Sequence, residues 1–182
     1  EGRKATLLKD GKSYAIPLYS TPVYGGVAYH GGIDCNRPAT IEIAVNDRTL
    51  SSVIVRPLSQ GLAPIIQGNK VRFEVTGPCK LSVELNGGID DAILLFINPV
   101  EKDPPRVGSE SVIYFGPGFH DHVGILRPTH GQTIYVAGGA YLNRARIEIK
   151  NSDRVTVRGR GIVDVAARLN GYQKDPTTSH GL

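Results

Sequence analysis

Hydrophobic and polar residues alternate along most of this chain with a period of two, the spacing of a β-strand that buries one face. The alternation predicts strands at Tyr14–Tyr19, Gly26–Tyr29, Thr40–Val45, Ser52–Pro57, Lys70–Val75, Lys80–Leu85 and Ala92–Ile97. Almost no stretch carries the 3.6-residue period of an amphipathic helix. Turn-forming residues separate the strands: Asp10-Gly11, Tyr24-Gly25-Gly26, Gly31-Gly32, Asn46-Asp47, Gly68-Asn69, Gly77-Pro78 and Asn86-Gly87-Gly88. Seven short strands so spaced indicate an antiparallel β-sandwich. Val71-Phe73-Val75 and Leu81-Val83-Leu85 flank Thr76-Gly77-Pro78-Cys79 and read as a hairpin with a longer loop. The longest apolar run, Ala92 to Ile97, is six residues, far short of the roughly 18 that a transmembrane helix needs.

The pattern breaks at Asn98-Pro99-Val100-Glu101-Lys102-Asp103-Pro104-Pro105-Arg106, whose prolines cannot join a central ladder, so this segment reads as a connector. Beyond it a different regularity begins. Val112-Ile113-Tyr114-Phe115-Gly116-Pro117-Gly118-Phe119, then Ile134-Tyr135-Val136-Ala137-Gly138-Gly139-Ala140-Tyr141, then Val155-Thr156-Val157-Arg158-Gly159-Arg160-Gly161-Ile162 nearly repeat one another. Gly116 to Gly138 is 22 positions and Gly138 to Gly159 is 21. A strand followed by a glycine corner every 20 to 25 residues or so marks a solenoid whose coils stack like on like. In the third repeat Val155 and Val157 are expected to point into the coil, with Thr156 and Arg158 outward. Ile147 and Ile149 supply another short strand, followed by a turn at Asn151-Ser152-Asp153. From Asn170 to Gly181 the sequence is loop-like. The domains are thus 1–107, a β-sandwich, and 108–182, the first coils of a β-helix.

Composition changes this picture little: 40% hydrophobic and 21% charged residues describe a globular chain. The chain starts at Glu1, contains no methionine and shows no signal peptide, which points to a processed or excised product and leaves its working location open. The net charge is +4, with Arg144, Arg146, Lys150, Arg154, Arg158, Arg160 and Arg168 concentrated late. These fit solvated outward strand positions, or attraction to an acidic polymer. No row of aromatics interleaves them, so nucleic acid is not an expected partner. Cys35 and Cys79 are the only cysteines. Cys79 is in phase with Leu81, Val83 and Leu85 and suits a buried free thiol, with a bridge to Cys35 as the alternative.

Candidate chemistry is sparse. Gly-Gly-Ile-Asp occurs twice, at Gly31 to Asp34 and Gly87 to Asp90, with Asp91 adjacent. Calcium-loop ligand spacing is absent, so turn chemistry is the expectation for these aspartates. His120-Asp121-His122 places two histidines at i and i+2, which on a strand share a face and with His130 form a conceivable zinc set; the segment follows Gly116-Pro117-Gly118 and reads as a loop, so no metal is expected. Gly159-Arg160-Gly161 lacks the third glycine and the following helix of a dinucleotide fingerprint. Sequence order alone supports no Ser/His/Asp triad.

Tyr114 to His120, Gly131 to Ala140 and Val155 to Asp164 resemble the first coils of polygalacturonase-like and dextranase-like glycoside hydrolases. Pro78 to Glu84 and Leu94-Leu95-Phe96 resemble the β-sandwich that precedes the helix in some of them. The resemblance covers most of the chain. It implies an all-β fold, an antiparallel β-sandwich followed by the first coils of a right-handed parallel β-helix, and hydrolysis of a polysaccharide. That family inverts the anomeric centre with carboxylates about 6.5–9.5 Å apart. Its catalytic aspartates belong to coils after the one carrying Gly159-Arg160-Gly161, so none is carried over and the catalytic and substrate-binding residues stay unassigned. Asp164 follows that corner, and the resemblance makes it a structural turn residue.

The sequence therefore reads as the N-terminal part of a secreted, periplasmic or cell-surface polysaccharide hydrolase, inactive alone. No cofactor is expected. The partners expected are a polysaccharide, an acidic one suiting the basic segment, and the remainder of its own β-helix packed on the C-terminal coil. A carbohydrate-binding or adhesin module without catalysis is the alternative, with Tyr14, Tyr19, Tyr24 and Tyr29 as a stacking surface or, more simply, as packing. A third reading gives the sandwich only the work of capping the first coil.

Overall fold

The computed structural model describes residues 2–23 and 26–165. Two compact units part between Pro104 and Pro105. The first contains strands β1 (Arg3–Lys9), β2 (Lys12–Ile16), β3 (Tyr19–Val23), β4 (Gly26–Asp34), β5 (Ala39–Val45), β6 (Val53–Arg56), β7 (Ile65–Gln67), β8 (Lys70–Val75), β9 (Cys79–Leu85) and β10 (Gly88–Asn98). They form two five-stranded sheets, ordered β2-β1-β5-β8-β7 and β3-β4-β10-β9-β6. Alternation sets the core. Ile41, Ile43 and Val45 of β5 and Val71, Phe73 and Val75 of β8 are buried, as are Leu81, Val83 and Leu85 of β9 and Ile93, Leu95 and Ile97 of β10. Period-two burial of this kind fills the space between two packed sheets.

The sandwich departs from the sequence expectation in five places, the first being that β8 and β9, expected to form a hairpin, belong to different sheets and do not pair. β4 and β10 pair in parallel, Ile93 with Tyr29 through Asn98 with Asp34, while the other pairings are antiparallel. The long excursion through β5 to β9 gives the chain room for that crossover. Tyr14–Tyr19 is broken at Pro17-Leu18 into β2 and β3, which join different sheets. Gly31-Gly32 is not a turn but the middle of β4. A Cβ at Gly31 would sit 2.5 Å from the Pro17 carbonyl oxygen and 2.9 Å from Leu18 Cδ2, so glycine serves close packing there. The aspartates of the two Gly-Gly-Ile-Asp copies accordingly lie on strands, Asp34 at the end of β4 and Asp90 within β10, rather than in turns.

Cys35 and Cys79 are both free thiols. The Cys35 amide donates to the Asn98 carbonyl at 2.8 Å, whereas Cys79 pairs with Ile97 from the opposite side of β10. Two strand spacings, about 9.6 Å, separate them, beyond the roughly 7 Å of Cα separation a bridge can span. Burial pushes the Cys79 thiol above its usual value.

The second unit winds. β11 (Val112–Phe115), β12 (Gly118–His120) and β13 (Gly124–Leu126) form one coil; β14 (Thr133–Val136), β15 (Ala140–Asn143) and β16 (Ala145–Ile147) form the next; β17 (Thr156–Gly159) and β18 (Ile162–Asp164) begin a third. The sheets β11-β14-β17, β12-β15-β18 and β13-β16 are all parallel. Val112 pairs with Thr133 and Thr133 with Thr156, an advance of 21 and then 23 residues per coil. The core of the stack is Ile134, Val136, Ala140, Leu142 and Ala145, with Ile113, Phe115, Val123, Leu126 and Ile147 against it.

Val157 stands in line with Ile113 and Ile134, and Val163 with Leu142, yet they are 46% and 36% exposed. Val155 lies just ahead of β17 rather than within it. The glycines align differently from their sequence repeat. Gly159 pairs with Val136 as the last residue of β17, and the corner is Arg160-Gly161. Gly159 has φ 131°, a backbone region that favours glycine. The Arg160 and Gly161 amides both donate to the Val136 carbonyl, at 2.8 and 3.0 Å, which closes the bend tightly against the coil below.

Candidate functional site

Alternation along β12, β15 and β18 turns one set of side chains outward from the coils. Phe119 and Asp121 come from the first coil, Tyr141 and Asn143 from the second, Ile162 and Asp164 from the third. The Phe119 and Tyr141 rings stack, with centroids 5.4 Å apart and planes 15° from parallel. Phe119 is 56% exposed while Tyr141 is buried. The Tyr141 hydroxyl donates to Asp164, and the Asn143 amide donates to Asp121. That amide, with His122 beside it, holds the Asp121 carboxyl below the usual carboxylate range. Asp121 is therefore a hydrogen-bond acceptor at neutral pH and not a proton donor. On the neighbouring sheet Tyr114 and Tyr135 lie 5.2 Å apart, and the Arg158 guanidinium sits 5.8 Å from the Tyr135 ring centroid.

The histidines do not converge. His120 bonds the Gly116 carbonyl at 2.7 Å and meets Phe115 edge-on. His122 donates to Asp121 at 2.8 Å and accepts from Arg144 at 2.8 Å. His130 lies between Asp153 and Arg154. Among the described residues no three His, Cys, Asp or Glu side chains gather where they could hold a metal ion. Asp34 accepts from the Glu101 amide at 3.1 Å, which ties β4 to the connector.

Asp164, read as a turn residue, is the last residue of β18 and anchors Tyr141. The described tyrosines of that set divide between the sheets, Tyr14 in the β1 sheet and Tyr19 and Tyr29 in the other, and Tyr24 is outside the described residues. The late basic residues are largely engaged. Arg146 and Lys150 close on Glu148 at 3.3 and 3.6 Å, with Arg127 at 3.1 Å. Burial alone would raise the Glu148 carboxyl, but Lys150, Arg127 and Arg146 outweigh it and hold it low. Arg168 is outside the described residues. The Phe119–Tyr141 stack and the Asp121–Asn143 pair escaped the sequence reading. Their signal is the repeat itself, since each pair is 22 residues apart.

No family model matches the chain, and no curated protein matches it in sequence. Among solved structures, Dex49A from Penicillium minioluteum matches with a TM-score of 0.63 and 15% identity, over 88% of this chain and 45% of that one. The likeness is one of fold alone: a β-sandwich followed by β-helix coils. The chain spans less than half the length of Dex49A.

Proposed function

We propose that this chain is the N-terminal part of a polysaccharide-degrading glycoside hydrolase of the polygalacturonase or dextranase kind, exported to the periplasm, the cell surface or the medium. The fold likeness to the dextranase Dex49A supports this reading, since it runs through the sandwich and the coils together. On this reading the two carboxylates that face outward beside the Phe119–Tyr141 stack are not the acid–base pair of hydrolysis. Such a pair needs one carboxyl kept protonated and one ionised. Asp121 is held ionised, and Asp164 is spent on the Tyr141 hydroxyl. The chain alone is then taken as inactive, with the carboxylates that cleave the polymer assigned to further coils. Those coils cover Val157 and Val163, which lie above the buried Ile134 and Leu142.

A second reading, a carbohydrate-binding module without catalysis, draws on the exposed Phe119 ring beside Asp121 and Asn143, because sugars stack on aromatic faces while planar polar groups take their hydroxyls. Reducing-sugar release from dextran and pectin separates the two. The expected result is release by a protein continued past Leu182 and none by this chain. Release by this chain, or none by the continued protein on either polymer, overturns the hydrolase reading.

A further inference from the structure

We propose that the sandwich carries a binding site for a neutral sugar ring, in a cleft between the start of β4 and the bulged start of β10. β10 pairs with β9 at Gly88–Leu85 and then only from Ile93–Val83, so Ile89 to Ala92 leave that ladder. Bulges of this kind re-aim side chains and collect next to binding sites. Here the bulge turns Asp91 onto Arg3 and sets Asp90 on the rim. The cleft holds about 460 Å³ and is lined by Arg3, Val27, Tyr29, Arg48, Asp90 and Asp91. That volume falls within the roughly 300–1,000 Å³ of small-molecule sites.

Arg3 is the unusual group. It takes an inward position of β1, and its side chain is 1% exposed. It donates to Asp91 at 2.7 Å, reaches Asp47 at 3.4 Å and lies 4.2 Å over the Tyr29 ring. Its Nε is buried without a hydrogen-bond partner and closed to solvent, so Arg3 shapes the cleft by holding Asp91 and Tyr29 rather than by meeting a ligand. Arg48 closes the network against Asp47 and Asp91.

The charges select the ligand. Two guanidinium groups are answered by Asp47 and Asp91, and Asp90 adds one more carboxylate, so the cleft has no spare positive charge for an acidic sugar. A hydroxyl both donates and accepts, so one ring can donate to Asp90 and accept from Arg48, both of which face solvent at the cleft. Val27 and the Tyr29 edge offer an apolar wall to its C–H face. The choice of a sugar over other polyhydroxy compounds rests on the polysaccharide reading above.

Titration of the intact chain with isomaltotriose, cellotriose and trigalacturonate, followed by amide chemical shifts and calorimetry, tests this. Saturable binding of a neutral trisaccharide is expected, with shifts at Val27, Tyr29, Gly88 and Asp90, and at least tenfold weaker binding of trigalacturonate. Asp90→Ala is expected to weaken binding at least tenfold with an unchanged thermal midpoint, and Val27→Trp, which fills the cleft, to abolish it. No saturable binding of either neutral sugar at millimolar concentration, affinity unchanged in both variants, or preference for trigalacturonate would overturn the proposal. Because hydrolysis is read on the continued protein and binding on this chain, either reading can fail while the other stands.

Discussion

Gly161→Ala is the most informative single change in the coils. A methyl there would lie 2.5 Å from Val136 Cγ1, 2.7 Å from the Ala137 carbonyl oxygen and 2.7 Å from the Ala140 carbonyl oxygen. Two of these three contacts are backbone, which cannot rotate away. Relief requires β17 and β18 to lift from β14 and β15. Inserting a methyl into a packed site costs about 1–3 kcal/mol, and among the described residues the third coil is held by those two ladders. Gly138→Ala is the control one coil below, since a methyl there would meet Arg160 Cβ at 4.0 Å and nothing nearer. Native-state hydrogen exchange reads the difference locally. Amides of β17 are expected to exchange about 5- to 150-fold faster in Gly161→Ala, the equivalent of 1–3 kcal/mol, with β14 and the sandwich little changed and Gly138→Ala close to wild type. Equal exchange in the two variants would refute the argument that Gly161 seats the third coil on the second.

Leu95→Ala removes a fully buried side chain from β10 and is expected to lower sandwich stability by about 2–5 kcal/mol, measured by urea unfolding; a loss under about 1 kcal/mol would contradict the two-sheet core. Glu42 is held low by Lys70 and Arg72, and Asp47 by Arg48 and Arg3 against the opposing effect of burial. Depressed folded values mean the unfolded chain binds protons first, so stability is full above the ordinary carboxylate range, near pH 4, and falls as the pH drops through the folded values. Glu42→Gln should flatten the acid limb of a plot of urea midpoint against pH, and an unchanged limb would count against the pair. Thiol titration after unfolding of oxidatively prepared protein should find both Cys35 and Cys79 reduced, and a loss of both thiols would contradict the placement of β10 between them.

Much of the coil architecture is legible in the sequence because a solenoid repeats locally: strand, corner and strand recur within about 22 residues, and each repeat stacks on its neighbour. The offset at Gly159 was not legible, since Gly116, Gly138 and Gly159 look equivalent until the register shows Gly159 paired with Val136. The sandwich strands were readable where alternation is clean, as in Lys70–Val75, and hidden where it is not. β1 carries Leu7 and Leu8 in succession and buries Arg3, which breaks the binary pattern. The parallel β4–β10 pair joins segments some 60 residues apart, a relation no local period encodes. Gly31-Gly32 carries the composition of a turn but serves close packing on Pro17 and Leu18. The candidate site was invisible for a related reason. Its groups come from different coils, and only the coil period, applied to Phe119, Tyr141 and Asp164 together, would have assembled them.

Methyl–methyl nuclear Overhauser spectra of Ile113, Ile134 and Val157 test the stacked, parallel arrangement directly. Adjacent coils set these side chains one strand spacing apart, about 4.8 Å. The expected pattern is a strong Ile113–Ile134 contact, a strong Ile134–Val157 contact and none between Ile113 and Val157. Absence of both sequential contacts, or a direct Ile113–Val157 contact, would contradict the coil stack and with it the parallel β-helix.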